Sequence, residues 1–241
     1  MLAKLAPDEV EVPLINAERQ KVNLYMSTPQ QAIKKLWSIK ATGNDSVLEL
    51  RAIKGSEIIS KLFKGPKYRS VAELKLAFEN EALRLNADGY NVYYVMNPIR
   101  EDFERGSVKD KDIECRDLLL IDIDKVGHKG ESSNDVELEA ARLLSEQIAD
   151  YLESEGWDKP IRMMSGNGYH LYYVLNELLN DEVNKSLVEG TLHEFANKFN
   201  NDIVAVDTVV FNASRITKVP GTIARKGPKT AERPHRMAVV L

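Results

Sequence analysis

The run Asp117-Leu118-Leu119-Leu120-Ile121-Asp122-Ile123-Asp124 constrains this chain more than any other feature. Residues 117–122 are continuously aliphatic between their two end carboxylates, not alternating, and that pattern predicts a strand buried on both faces. A strand of this kind needs a sheet core. No purely aliphatic stretch is longer than Leu118 to Ile121, far below the roughly 18–20 residues that cross a bilayer, so no membrane partner is expected. Side chains two apart on a strand share a face, so Asp122 and Asp124 converge at the end of this one. Like charges packed so closely resist joint ionisation unless a cation lies between them. Magnesium and manganese favour such oxygen ligands, with water and substrate phosphates in the other positions. A solvated strand end or a turn cap is the other reading of an isolated Asp-x-Asp.

Elements read along the chain fit around this strand. Residues 1–20 lack clear periodicity and read as an N-terminal arm, leaving 21–241 as one domain without an internal boundary. Thr28-Pro29 opens a helix expected to run to residue 41. Residues 47–53 read as a strand ending at Lys54-Gly55, and Ser70 caps a helix over 71–87. Residues 91–96 form a strand stopped by Asn97-Pro98. After a polar loop over 125–135, a helix spans 136–155, with Leu138, Ala141, Leu144 and Ile148 on one face. Strands at 161–164 and 169–175 flank a glycine turn, a helix covers 181–200, and short strands and loops end in apolar residues 237–241. Helices and strands intermingle, which predicts an α/β or α+β class built on a sheet.

Charge is unevenly spread. The 33 Lys+Arg and 37 Asp+Glu of the 241 residues leave a net charge of -4, but residues 211–241 hold seven Lys/Arg and one acid, Glu232. An acidic middle and a basic end suit metal ions in one place and phosphates in another, or solvated faces of no special role. A single cysteine, Cys115, excludes a disulfide framework and a cysteine-rich zinc module. The N-terminus is too acidic and too weakly apolar for a signal peptide, so a cytoplasmic setting is expected.

Three further stretches carry chemistry. Ser165-Gly166-Asn167-Gly168-Tyr169-His170 places backbone amides where they can converge on an anion, with His170 and Tyr172 on one face of the following strand; a plain hairpin turn with a packed histidine reads equally well. Asp207 follows an apolar run and is either a third carboxylate of the same site or a turn cap. Arg215, Lys218, Arg225, Lys226, Arg233, His235 and Arg236 fall in a Gly/Pro-punctuated stretch that suits triphosphate or a nucleic-acid backbone, or a basic surface loop.

The order of these features (Asp-x-Asp strand, glycine turn with histidine, lone Asp, clustered cations) resembles the archaeo-eukaryotic primase superfamily, and within it the primase-polymerases of phages, plasmids and other mobile elements. The resemblance covers roughly residues 47–241. It implies a catalytic core like an RNA-recognition-motif mixed sheet, packed against an N-terminal α/β half. It implies template-directed nucleotidyl transfer to a 3′-hydroxyl, with Asp122, Asp124 and Asp207 as catalytic carboxylates holding two Mg2+ or Mn2+ ions. Ser165, Asn167 and His170 would grip the dNTP or NTP, aided by Arg215, Lys218 and Lys226, with Arg51 and Asn97 as further nucleotide contacts. Arg233, His235 and Arg236 would meet the nucleic acid. The implied partners are a single-stranded DNA template and primer, nucleoside triphosphates, and a replicative helicase or accessory priming segment. One cysteine cannot build the zinc knuckle that many relatives carry. Two alternatives compete: a non-catalytic replication-initiation or single-stranded-DNA-binding module, and a metal-dependent glycosyltransferase using the Asp-x-Asp alone.

Overall fold

A computed structural model describes residues 27–127 and 130–241. The expected arm over residues 1–20 lies outside them.

The chain builds two antiparallel sheets and a short ribbon, an α+β fold. The first sheet has the order β2-β1-β3-β8, from Glu57–Lys64, Val47–Lys54, Asn91–Val95 and Ile216–Lys218. The second has the order β11-β5-β6-β4-β7, from Val239–Val240, Ile161–Met164, Tyr169–Leu179, Cys115–Lys125 and Val204–Val206. Strands β9 (Ile223–Ala224) and β10 (Arg236–Met237) pair into the ribbon. The helices are α1 (Pro29–Lys34), α2 (Leu36–Ile39), α3 (Val71–Ala87), α4 (Asp135–Ser154) and α5 (Glu182–Phe199). Helix α3 packs on the first sheet and α4 on the second. Among the described residues no helix is long and apolar enough to cross a membrane.

Strand β4 explains the aliphatic run. It is the penultimate strand of its sheet, paired with β6 on one side and β7 on the other. Its Ile121 and Ile123 are fully buried, in one apolar cluster with Ala141, Leu144, Ile148 and Leu152 of α4. Each such Leu or Ile removed from water contributes roughly 1.5–3 kcal/mol, so this face is tightly fixed. Period-two alternation turns Leu120, Asp122 and Asp124 to the opposite face. The capping box on α4, Asn134 with Glu137, starts that helix one residue before the expected position.

Two expectations change. The single helix read over 29–41 is two short pieces, α1 and α2. The break comes at Lys35, where bonding tightens: Ser38 N–H and its hydroxyl both donate to the Lys35 carbonyl. Strand β2 was not foreseen. Lys54-Gly55 turns rather than stops, with Gly55 at φ 61°, and β2 runs back along β1 in full register. Its side chains are mostly exposed, so no apolar alternation announced it.

Candidate functional site: a cleft of divided charge

The cleft, about 250 Å³, opens where the edge strand β8 of the first sheet lies over β4 and β6 of the second. Asp122 pairs in register with His170 of β6. Gly168 closes the 165–168 turn directly beneath: a Cβ there would sit 2.1 Å from the Ile123 carbonyl oxygen and 2.6 Å from Asp124 Oδ1. Only glycine lets the turn approach the carboxylate strand so closely. The turn is held internally. Gly168 N–H donates to Ser165 Oγ at 3.2 Å, and Gly166 N–H points to Met164 Sδ. Asn167 caps outward, its Oδ1 accepting from Ser133 N–H. Two of the amides expected to converge on an anion therefore serve the turn itself. Ser165, Asn167 and His170 nonetheless all line the cleft.

The carboxylates are half-buried at the edge of the cleft. Asp122 Oδ1 is buried without a hydrogen-bond partner among the described residues. His170 Nε2 lies 3.3 Å from it, near enough for charge attraction although not aligned as a hydrogen bond. Burial would push the Asp122 carboxyl up, but the charges of His170, Arg215 and Lys226 together hold it below the usual range. Asp124 goes the other way: burial, then the Asp122 charge, raise it to about 6. Burial opposes protonation of His170, yet Asp122 and Asp124 outweigh it and raise its pKa. Two neighbouring carboxylates with opposite shifts, one with an orphaned oxygen, fit a divalent cation between them. Asp207 is adjacent through the backbone, its N–H donating to the Asp122 carbonyl at 2.8 Å. Its side chain, however, accepts from Val209 N–H at 2.9 Å and does not line the cleft. Among the described residues no three His, Cys, Asp or Glu side chains group as a metal-ligand set. The Asp122–Asp124 pair thus fits one ion as it stands.

The opposite wall is cationic. Lys218, Arg225 and Lys226 line it with Asn91 and Tyr93. Lys218 is 4% exposed; among the described residues its Nζ donates to neutral oxygens, Ile223 O at 3.2 Å and Asn91 Oδ1 at 3.4 Å, and lies over the Tyr93 ring. Burial, then Arg225, lower its pKa to about 7. Burial also lowers that of Arg225. Asn91 grips the Arg225 backbone at both ends, accepting from its N–H and donating to its carbonyl at 2.7 Å each. Arg215 stands behind Asp122, donating to the Val209 carbonyl, with Nε buried and unpartnered.

The remaining expected residues lie elsewhere. Arg51 pairs with the buried Glu49 at 2.7 Å. It shares a cross-strand row with Tyr93 and Lys218 but is not in the lining. Asn97 is fully buried; it donates to Ala213 O and accepts from Asp117 and Leu118 N–H, so it braces the two sheets. Arg233 makes a two-pronged pair with Glu137, Nη1–Oε2 2.7 Å and Nη2–Oε1 2.9 Å. Arg236 binds Asp135 and Ser133 O, and His235 contacts Gly227 O at 2.9 Å. Arg233 and Arg236 fasten the C-terminal ribbon to the start of α4, while the His235 contact stays within the C-terminal stretch. Sequence reasoning missed Asn91, Tyr93, Thr217 and, as a site residue, Arg225. Arg225 carried a visible signal, since it adjoins Lys226; the others gather only through strand pairing.

No protein-family model and no curated protein matches this chain. Solved structures similar to it include the following two. The catalytic domain of primase Repb' in complex with initiator DNA is 12% identical, with TM-score 0.49, over 89% of this chain and 84% of that one. The polymerase domain of Mycobacterium tuberculosis ligase D in complex with DNA is 14% identical, with TM-score 0.46, over 87% and 80%.

Proposed function

We propose that this chain is a DNA-directed nucleotidyl transferase of the primase-polymerase type, joining a nucleoside triphosphate to a 3′-hydroxyl held on a single-stranded template. One observation carries this: one small cleft has two half-buried carboxylates on one wall and, on the other, cations without carboxylate partners among the described residues. A glycosyltransferase built on Asp-x-Asp alone would leave that cationic wall unexplained. Neither distant structural likeness is needed for the inference.

In this reading Asp122 and Asp124 hold a Mg2+ or Mn2+ ion, the orphaned Asp122 oxygen being an available ligand. When bound, the ion supplies Lewis acidity toward the attacking hydroxyl and neutralises charge on the departing pyrophosphate. Asp207 joins the set only by releasing Val209 N–H, and a second ion would depend on it and on the triphosphate. Lys218, Arg225 and Lys226 meet the triphosphate as charge-assisted donors. His170, with its pKa raised by the carboxylates, presents Nε2–H toward the cleft and adds a donor where the phosphate approaches. Tyr93, Leu120 and Ile216 form the apolar part of the lining and exclude water beside the reacting groups. Arg233 and Arg236 are engaged with α4 carboxylates and take no part in this scheme.

The test is synthesis on single-stranded template, with and without annealed primer, comparing dNTPs with NTPs and magnesium with manganese. Products that disappear in Asp122→Ala establish the transferase, and primer-free products add priming. Template binding without any product, from folded wild-type protein, would replace the proposal with a binding module.

A further inference from the structure

The carboxylate–histidine contact is aimed by residues outside it. His170 Nδ1 lies 2.9 Å from the Tyr172 phenolic oxygen and 3.2 Å from Thr217 Oγ1, and those two oxygens are 2.6 Å apart. All three residues are buried, at 6%, 0% and 2% exposure. His170 and Tyr172 stand two apart on β6 and so share a face. Thr217 comes from β8, the edge strand of the other sheet. An imidazole can turn about its Cβ–Cγ bond and present either edge, and a neutral ring can carry its proton on either nitrogen. Two hydroxyls on the Nδ1 side give that edge of the ring its partners and so fix its rotation, either hydroxyl being able to donate or accept. The other edge then faces the Asp122 carboxylate, an acceptor that favours a proton on Nε2.

We propose that Thr217 and Tyr172 are positioning residues that lock the His170 ring across the junction of the two sheets, with Nε2 turned into the cleft; what Nε2 then touches rests on the nucleotidyl-transfer reading. Valine at 217 and phenylalanine at 172 keep the shape and remove only the hydroxyls, which separates positioning from packing. Because Thr217 belongs to β8, which carries Lys218 one residue on, the lock also ties the cationic wall to the histidine. A shift of one sheet against the other would move both together.

The chain has four histidines, so 15N-histidine labelling gives few signals, and the resonance absent in His170→Gln identifies His170. At fixed pH and without nucleotide, wild type should show one ring state with the proton on Nε2. In Thr217→Val/Tyr172→Phe the signal should move toward mixed tautomers. Nucleotide KM should rise on the order of 5- to 10-fold, the scale of a lost hydrogen bond, with kcat little changed. Thr217→Ser should keep both wild-type properties. Unchanged ring shifts in the folded double variant overturn the positioning role whatever the activity. A displaced ring with unchanged KM leaves that role standing and overturns the nucleotide contact of His170, and with it that part of the functional reading.

Discussion

Arg233 and Arg236 close on Glu137 and Asp135 at 2.7 Å, whereas Lys218, Arg225 and Lys226, on the same C-terminal stretch, form no ion pair among the described residues. Nothing in their spacing separates the two sets. The difference arises because the ribbon β9–β10 folds its outer strand onto the acidic first turn of α4, while its inner strand turns toward the cleft. A cation partly removed from water without a counter-charge is costly, and the cost is reduced when an anion arrives. The paired set therefore reads as fastening and the unpaired set as recognition. The carboxylates divide the same way: Asp135 and Glu137 meet arginines, while Asp122 and Asp124 face each other and His170.

The largest effect should come from the unpaired acids. Asp122→Ala is expected to lower synthesis on the order of 10³-fold, about 4 kcal/mol of barrier, with the fold retained. A gel assay on protein of unchanged circular dichroism checks this, and near wild-type synthesis would dissolve the contrast between paired and unpaired groups.

Next in size is Lys218→Met. Losing a charge-assisted bond to phosphate should raise nucleotide KM about 10- to 100-fold, with a smaller change in kcat. The same variant should be more stable than wild type in acid. The Lys218 pKa is lowered to about 7 in the fold from an ordinary 10.5. Between those values the unfolded chain binds more protons, so stability rises with pH there. The burden of the charged amine is fully present below pH 7 and fades toward pH 10.5. Urea denaturation at pH 6 and pH 9.5 should show the variant's advantage shrinking, and an advantage that grows with pH would be the wrong sign.

How far all this was legible in sequence follows the same division. Strand β4 was readable because burial on both faces leaves a continuous aliphatic signature, and alternation then put Asp122 and Asp124 together. Helices α3, α4 and α5 were readable from caps and periodicity. Strand β2 was not, since an exposed edge strand carries no apolar pattern. Lys218 and Lys226 were assigned to triphosphate and Arg233 and Arg236 to nucleic acid, but the ion pairs of the second set stayed hidden, because a sequence displays charges and not their partners. Asn97 reads in sequence as a nucleotide contact at a strand end and is a buried brace between the sheets. Asn91, Tyr93 and Thr217 reach the cleft by cross-strand register, which no local pattern encodes.

A smaller effect tests the acids as a thermodynamic pair. In the fold Asp124 holds its proton to about pH 6, against an ordinary 3.8, so the folded state binds more protons in that window. Stability attributable to Asp124 therefore falls as pH rises from about 4 to 6 and stays reduced above. Asp124→Asn should be more stable than wild type by about 1–3 kcal/mol at pH 7.5 and show little advantage at pH 4. Urea titrations in chelator measure this, and saturating Mn2+ should narrow the pH 7.5 gap by stabilising wild type alone. An equal gap at both pH values would mean that neither burial nor the Asp122 charge strains Asp124 in the fold.

The smallest effect on catalysis should come from the fastened set. Arg233→Met removes a two-pronged bond to Glu137 and leaves that carboxylate with the charge of Lys125 nearby. The ribbon then loses one of its two arginine holds on α4, Arg236 keeping the other, so the thermal midpoint should drop. Nucleotide KM should stay within about two-fold, since the substitution does not touch the cleft lining. Melting curves and steady-state kinetics on the same preparation separate the two. A KM shift as large as that of Lys218→Met, without loss of stability, would move Arg233 from fastening to recognition and erase the distinction drawn from its ion pair.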